Sequence, residues 1–442
     1  MTPDAVMVVP GIMGSELMDT TTGQTLWGLR PKLLVSALMA GLEPLALTDA
    51  ERRGDTSRVK PVGLLKFPAY LPGLTGLEPY TGLVRELRGV VRHPSAVAEF
   101  AYDWRLPVKR NAALLADAVD AHLESWRARS GRSDARIVLV AHSMGGLLCQ
   151  AMAPNDQVRA TLTLGTPFDG AAKAAVMLSP TTGRLQRRLR AAAVTMPGLY
   201  DLLPAYRCVD TGNDVRRLTV ADIVDLGGDE DLAAAAFTAR AQRAATALPQ
   251  HWALIGVEQP TMSSLTLNAG TASGTYDTFK LHDDGELVRD EHGRLRRSPG
   301  FGDGTVPRNS AVPHHQDRHM VLAQQHTTLA QSDEAIIFAR DIVEHGRGAK
   351  EPRLGDGDIG LVLPDVVSPG QEWTGTLSGI NGPFHVACLL TDADTGMVVD
   401  RPTPYRRDGQ VGITGVADRP GLYRLRVDGG STPVVQFLLA VP

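Results

Sequence analysis

Three residue types that are far apart along this chain could together make an oxygen nucleophile: a serine, an imidazole and a carboxylate. Ser143 ends the apolar run Arg136-Ile-Val-Leu-Val-Ala-His-Ser-Met-Gly-Gly146, with the small residues Ala141 and Gly145 two places to either side. A strand that bends sharply into a helix needs small residues at those places, and it leaves the serine at a helix N-terminus, where the field favours a developing anion. The plainer use of such a serine is as a helix cap. The apolar strand before it and the helical pattern after it favour the nucleophile. Glycine is the usual first residue of this turn, so the methyl of Ala141 is a mild departure.

The base and the acid should follow in the order acid, then histidine. His326 comes directly after the last strand pattern, His319-Met-Val-Leu-Ala-Gln-Gln325, and before the final helix. His314 and His315 precede that strand and read as surface residues. Asp303 lies in Gly302-Asp-Gly-Thr-Val-Pro307, where flanking glycines let the backbone turn a carboxylate toward an imidazole, fix its tautomer and stabilise its cation. Asp103 and Asp169 also follow strand patterns. Asp103 is expected to pair with Arg105, and Asp169 to cap a helix. An acyl-transfer site also needs donors for an oxyanion. The N–H of Met144 is one. The loop Pro10-Gly11-Ile12-Met13-Gly14-Ser15 supplies the other from Ile12, with Met13 in reserve. This chemistry requires no metal and no cofactor. Asp392-Ala-Asp394-Thr-Gly396 lacks the later ligands of a calcium loop and reads as a hairpin turn.

Positioning these groups calls for a parallel sheet. Strand patterns at 6–9, 96–102, 136–141, 159–164, 252–257 and 319–323 alternate with helical ones at 106–129, 147–153 and 332–345, as in βαβ units. The expected class is α/β: an α/β-hydrolase over residues 1–347, with cap or lid insertions at about 28–92 and 170–250, the second mostly helical. From about Lys350 the texture changes to short alternating segments separated by Gly, Pro and Asp. An immunoglobulin-like antiparallel β-sandwich is expected over 353–442, joined by a linker at 347–352.

Composition narrows the partners. Of 442 residues 43% are apolar, enough for a sizeable core, and a net charge of −4 with both signs mixed argues against nucleic acid. The Arg184–Arg190 run reads as a solvated helix face. Cys149, Cys208 and Cys388 are too scattered for a disulfide framework, and Cys149 reads as a packed thiol. The start lacks a basic segment, a long apolar stretch and a small-residue cleavage site, and no membrane span is expected. These features point to a cytoplasmic protein.

The ordered segments Val8-Val-Pro-Gly-Ile-Met-Gly-Ser-Glu-Leu17, Tyr102-Asp-Trp-Arg105, Ala141-His-Ser-Met-Gly-Gly146, Gly165-Thr-Pro-Phe168, Gly302-Asp-Gly-Thr-Val-Pro307 and Gln325-His326 resemble the lecithin:cholesterol acyltransferase family, which includes phospholipid:diacylglycerol acyltransferases and a lysosomal phospholipase A2. The resemblance implies a Ser143, Asp303 and His326 triad, an oxyanion donor at Ile12, a cap and lid over an acyl pocket, transient contact with a membrane surface, and a lipid ester as acyl donor. The β-rich tail is not part of that pattern, and its partner is open. Hydrolysis and O-acyl transfer both fit. A carboxylesterase for small soluble esters and a non-catalytic scaffold on a hydrolase fold are the alternatives.

Overall fold

The computed structural model describes residues 1–152, 154–282, 284–312, 318–346 and 358–442. Its centre is a sheet of six parallel strands: β1 (Ala5–Val9), β2 (Val97–Glu99), β3 (Ile137–His142), β4 (Val158–Leu164), β5 (His251–Gly256) and β6 (His319–Leu322), in the order β6-β5-β4-β3-β1-β2. Every residue of β1 and β3 is buried, so both faces of the sheet are covered. This explains why the strands read as unbroken apolar runs. The second strand is shorter than the sequence suggests, because the Tyr102 N–H takes the Ser15 hydroxyl as acceptor at 3.0 Å in place of a ladder partner.

Two helix pairs make that cover. Helix α1 (Thr81–Val90) packs against α4 (Asp333–His345), and α2 (Val108–Ser130) against α3 (Met144–Ala151). The chain leaves β1 toward β2 on one side and leaves β3 toward β4 on the other. The crevice beyond the carboxyl ends of β1 and β3 is therefore the topological switch point, where open α/β sheets bind ligands. The Ile12 loop follows β1 and Ser143 follows β3.

Two segments differ from expectation. The stretch 28–92 is not all insertion: α1 buries Leu83, Val84, Leu87 and Val90, a helical period hidden in a Leu-rich stretch, and belongs to the helical layer. The stretch 170–250 is not only helical. Its strands Arg207–Asp210 and Val215–Arg217 join Ser264–Asn268 and Thr271–Thr275 in a four-stranded sheet, so the added structure continues beyond β5.

The C-terminal part folds as two facing sheets. One holds Gly360–Val362, Glu372–Ser378, Gln410–Val416 and Thr403–Arg407; the other holds Val366–Val367, Val434–Ala440, Gly421–Asp428, Ala387–Asp392 and Val398–Asp400. Trp373, Leu377, Leu390, Ile413, Leu425 and Leu438 meet between them. The sandwich is antiparallel except at one edge, where Val366–Val367 runs parallel to Leu439–Ala440. Asp392 Oδ1 accepts the N–H groups of Asp394 and Thr395 in a hairpin turn. The linker at 347–352, the boundaries at 347 and 353, and His314 and His315 lie outside the described residues. Among the described residues no single helix is long and apolar enough to cross a membrane.

Candidate active site

Ser143 adopts φ 51° and ψ −126°, a conformation that costs an L-residue about 1–3 kcal/mol. It stands at the N-cap of α3, yet its side chain caps nothing there. The hydroxyl lies instead 2.9 Å from Nε2 of His326. Close backbone packing fixes the bend. The Ser143 N–H donates to Leu164 O at 2.9 Å and Thr166 Oγ1 donates to Ser143 O at 3.0 Å. A Cβ on Gly145 would stand 2.6 Å from the carbonyl oxygens of Val9 and Pro10, so only glycine lets α3 start this close to β1.

His326 follows β6, and its backbone N–H donates to Asp303 O at 2.7 Å. Nδ1 donates to Asp303 Oδ2 at 2.6 Å. An ionised carboxylate only accepts, so the proton sits on Nδ1 and leaves Nε2 free to accept from Ser143. The other oxygen of Asp303 accepts the N–H groups of Thr305 at 3.0 Å and Val306 at 2.6 Å, which locks the carboxylate in its turn. Gly165, at φ 58°, passes beneath this pair: a Cβ there would lie 3.0 Å from Asp303 Oδ2 and 3.2 Å from His326 Nδ1.

The loop that carries one proposed oxyanion donor meets the serine turn that carries the other: a Cβ on Gly11 would stand 2.8 Å from Ser143 Cβ. The N–H of Met144 is first in its helix and has no intrahelical acceptor. The Ile12 N–H has no acceptor among the described residues. Met13 closes the turn with φ 65°, and its carbonyl accepts from Trp27 Nε1 at 2.8 Å. The Gly14 N–H bonds back to Gly11 O at 3.0 Å.

Two residues of the site escaped sequence reasoning. The hydroxyl of Tyr80 accepts from the Gly11 N–H at 3.0 Å and donates to Nδ1 of His142 at 2.8 Å, so it ties the loop after β1 to the serine turn. Burial, and then the neighbouring His326, hold His142 well below the usual imidazole range, so it stays neutral beside His326. His142 lies inside the serine motif and could have been singled out there. Tyr80 gave no local signal.

The competing aspartates are otherwise engaged. Asp103 accepts from Arg105 Nε at 2.9 Å and Nη2 at 2.7 Å, and Arg105 also reaches Glu51 at 2.8 Å, all in the interior. Asp169 caps no helix: the nearest one, Ala172–Leu178, has Ala171 at its N-cap and no side-chain cap. Its carbonyl instead accepts the Ala205 N–H at 2.8 Å. Cys149 is a free, buried thiol, as are Cys208 and Cys388. Ser143 and His326 are only 3% and 1% exposed. A cavity of about 690 Å³ lies elsewhere, lined by Asp169, Tyr206, Arg217, Phe237, Arg240 and Phe279 among others and by none of Ser143, Asp303 and His326.

The lecithin:cholesterol acyltransferase family model matches residues 70–204, which include the serine turn and Tyr102-Asp-Trp-Arg105. Over that stretch the chain is similar to the family, and its six-stranded parallel sheet with a serine at a strand-to-helix turn is an α/β fold. No curated protein sequence matches this chain. Solved structures similar to it include the Tle4–Tli4 complex, at 14% identity over 69% of this chain and 88% of that one with a TM-score of 0.43. The mature lipase BlEst2 of Bacillus licheniformis aligns at 14% identity over 74% and 86% of the two chains with a TM-score of 0.30. The phospholipase PlaB of Legionella pneumophila, in complex with thio-NAD, aligns at 11% identity over 99% and 89% with a TM-score of 0.28.

Proposed function

We propose that this chain is a serine-dependent acyl hydrolase or O-acyltransferase acting on lipid esters, with Ser143 as nucleophile, His326 as base and Asp303 as its support. The observation that carries this reading is the chain of short contacts from Asp303 Oδ2 through the imidazole to Ser143 Oγ, at 2.6 and 2.9 Å. As Oγ attacks an ester carbonyl, its proton passes to Nε2. The oxyanion is held by the N–H groups of Ile12 and Met144. Collapse breaks the bond to the leaving alcohol, which takes the proton from Nε2 and leaves an acyl group on Ser143. Water or a second alcohol then repeats the sequence in reverse. Which of them reacts depends on how well the cover excludes water.

A lipid surface is the proposed source of substrate. Helix Pro31–Ala40 exposes Leu33 and Met39, and Arg188 of the neighbouring helix Arg184–Ala193 donates to its Met39 carbonyl. Exposed apolar side chains beside Lys32, Arg184 and Arg187 suit an anionic interface. The test is to incubate wild type and Ser143→Ala with mixed phospholipid and acylglycerol vesicles and identify the products by mass spectrometry. Free fatty acid or transferred acyl chains formed by wild type alone are expected. Turnover confined to short soluble esters would replace the lipid reading with a carboxylesterase.

A further inference from the structure

The loop that carries His326 is fastened to the C-terminal sandwich by buried side chains that the mechanism does not use. Gln325 Nε2 donates to Leu361 O of the sandwich and to Gln259 Oε1, both at 2.9 Å. Gln259 Nε2 donates to Ile359 O at 2.8 Å, and its Oε1 also accepts the Leu361 N–H at 3.1 Å. On the other side Gln324 Nε2 donates to Pro433 O at 2.9 Å, and Thr432 Oγ1 donates to Ala323 O at 3.2 Å. A third link runs through Glu78. Its N–H donates to Thr327 O at 3.3 Å, while Arg424 of the sandwich grips its carboxylate at 2.5 and 2.7 Å.

The same fastening reaches the acid. Gln259 pairs with Gly302 and bridges Asp303, and a Cβ on Gly304 would lie 2.3 Å from Gln325 Oε1. Gln259, Gln324 and Gln325 are all buried, so each amide must find its partners inside the protein. The partners they find on the sandwich are backbone groups around its first strand and the turn before its last. Residues 323–327 are held on both sides, and His326 lies within the held segment, directly after Gln325.

We propose that the C-terminal sandwich braces the base, with Gln325 and Gln259 as positioning residues that hold the His326 loop and the Asp303 turn at bonding distance from Ser143. The proposal rests on the triad reading above and adds to it a role for the tail: the sandwich belongs to the catalytic unit. An imidazole allowed to drift by about 1 Å would lose turnover by roughly a hundredfold while substrate binding persisted.

The test compares full-length Gln325→Leu, Ser143→Ala and Tyr423→Phe with wild type on p-nitrophenyl butyrate, reading kcat, KM and the pH profile of kcat. The Tyr423 hydroxyl donates to Arg419 O within the sandwich and has no hydrogen bond to the loop among the described residues, so its variant controls for general loosening. The expected result is a tenfold or larger fall in kcat for Gln325→Leu, KM within about twofold, a displaced acid limb of the profile, and wild-type turnover for Tyr423→Phe. Thr432→Val, which removes one link, serves if Gln325→Leu does not fold, and a smaller fall in kcat is expected from it. Wild-type kcat and profile for the loop variants, or equal losses in Tyr423→Phe, would overturn the brace while a dead Ser143→Ala left the triad standing. Full turnover by Ser143→Ala would overturn the triad and the brace with it.

Discussion

The hydroxyl of Tyr80 stands 2.8 Å from Nδ1 of His142, the residue before the nucleophile, and holds the Gly11 N–H with its lone pair. One side chain from the start of α1 thus sets the distance between the two proposed oxyanion donors, one on the loop after β1 and one at the head of α3. Tyr80→Phe should leave Nδ1 and the Gly11 N–H unpaired in the interior, at a cost of about 1–3 kcal/mol in stability. Because the donors act chiefly in the transition state, kcat should fall about tenfold with KM nearly unchanged. Steady-state kinetics and thermal denaturation of the variant check both effects.

Gly165→Ala places a methyl against Asp303 and His326, the proposed acid and base, and forces an L-side chain to φ 58°. The pair must part or Leu329, 2.9 Å away, must yield. Turnover should drop by at least tenfold while the fold persists, since a left-handed residue costs only about 1–2 kcal/mol. Activity and circular dichroism together separate this from simple unfolding.

Acid should weaken the link between the cap and the sheet in a defined window. Burial opposes the charge on Glu51, but hydrogen bonds from Arg58, the Thr48 N–H and Arg105 outweigh it and hold the carboxyl at about 2, below its ordinary 4.5. A depressed folded-state value contributes stability that is fully present above pH 4.5 and is lost as pH falls toward 2. Urea unfolding of wild type and Glu51→Gln at pH 7 and pH 3 should show the variant less stable at pH 7 and the gap narrowing in acid.

Thiol chemistry should not touch the activity. Burial pushes Cys149 and Cys208 up to about 12 and Cys388 to about 11, so thiolate is scarce at neutral pH. Iodoacetamide on the native protein at pH 8 should leave turnover intact and modify none of the three, as read by intact-mass analysis. Rapid inactivation would contradict the buried-thiol description.

Local demands were legible in the sequence and distant ones were not. The parallel strands showed as apolar runs because both faces are covered, and Ser143 showed because its bend demands Ala141 and Gly145 nearby. His326 was distinguished from His319 by its place after β6, and Asp303 by the glycines of its turn. Tyr80 was invisible, since its partners Gly11 and His142 lie 69 and 62 residues away and α1 sits in a stretch without an obvious period. Gln259 and Gln325 were equally silent: a glutamine's meaning depends on which backbone groups a remote segment brings to it. The short strands after Pro204 were hidden by Ala- and Arg-rich surroundings, where composition alone suggests helix.

The most direct measurement is covalent labelling with a fluorophosphonate followed by intact-mass and peptide mass spectrometry. The account predicts one adduct per wild-type chain on the peptide containing Ser143, a rate that collapses in His326→Ala, and no adduct in Ser143→Ala. A folded wild-type protein that stays unlabelled, or an adduct that survives Ser143→Ala, would contradict it.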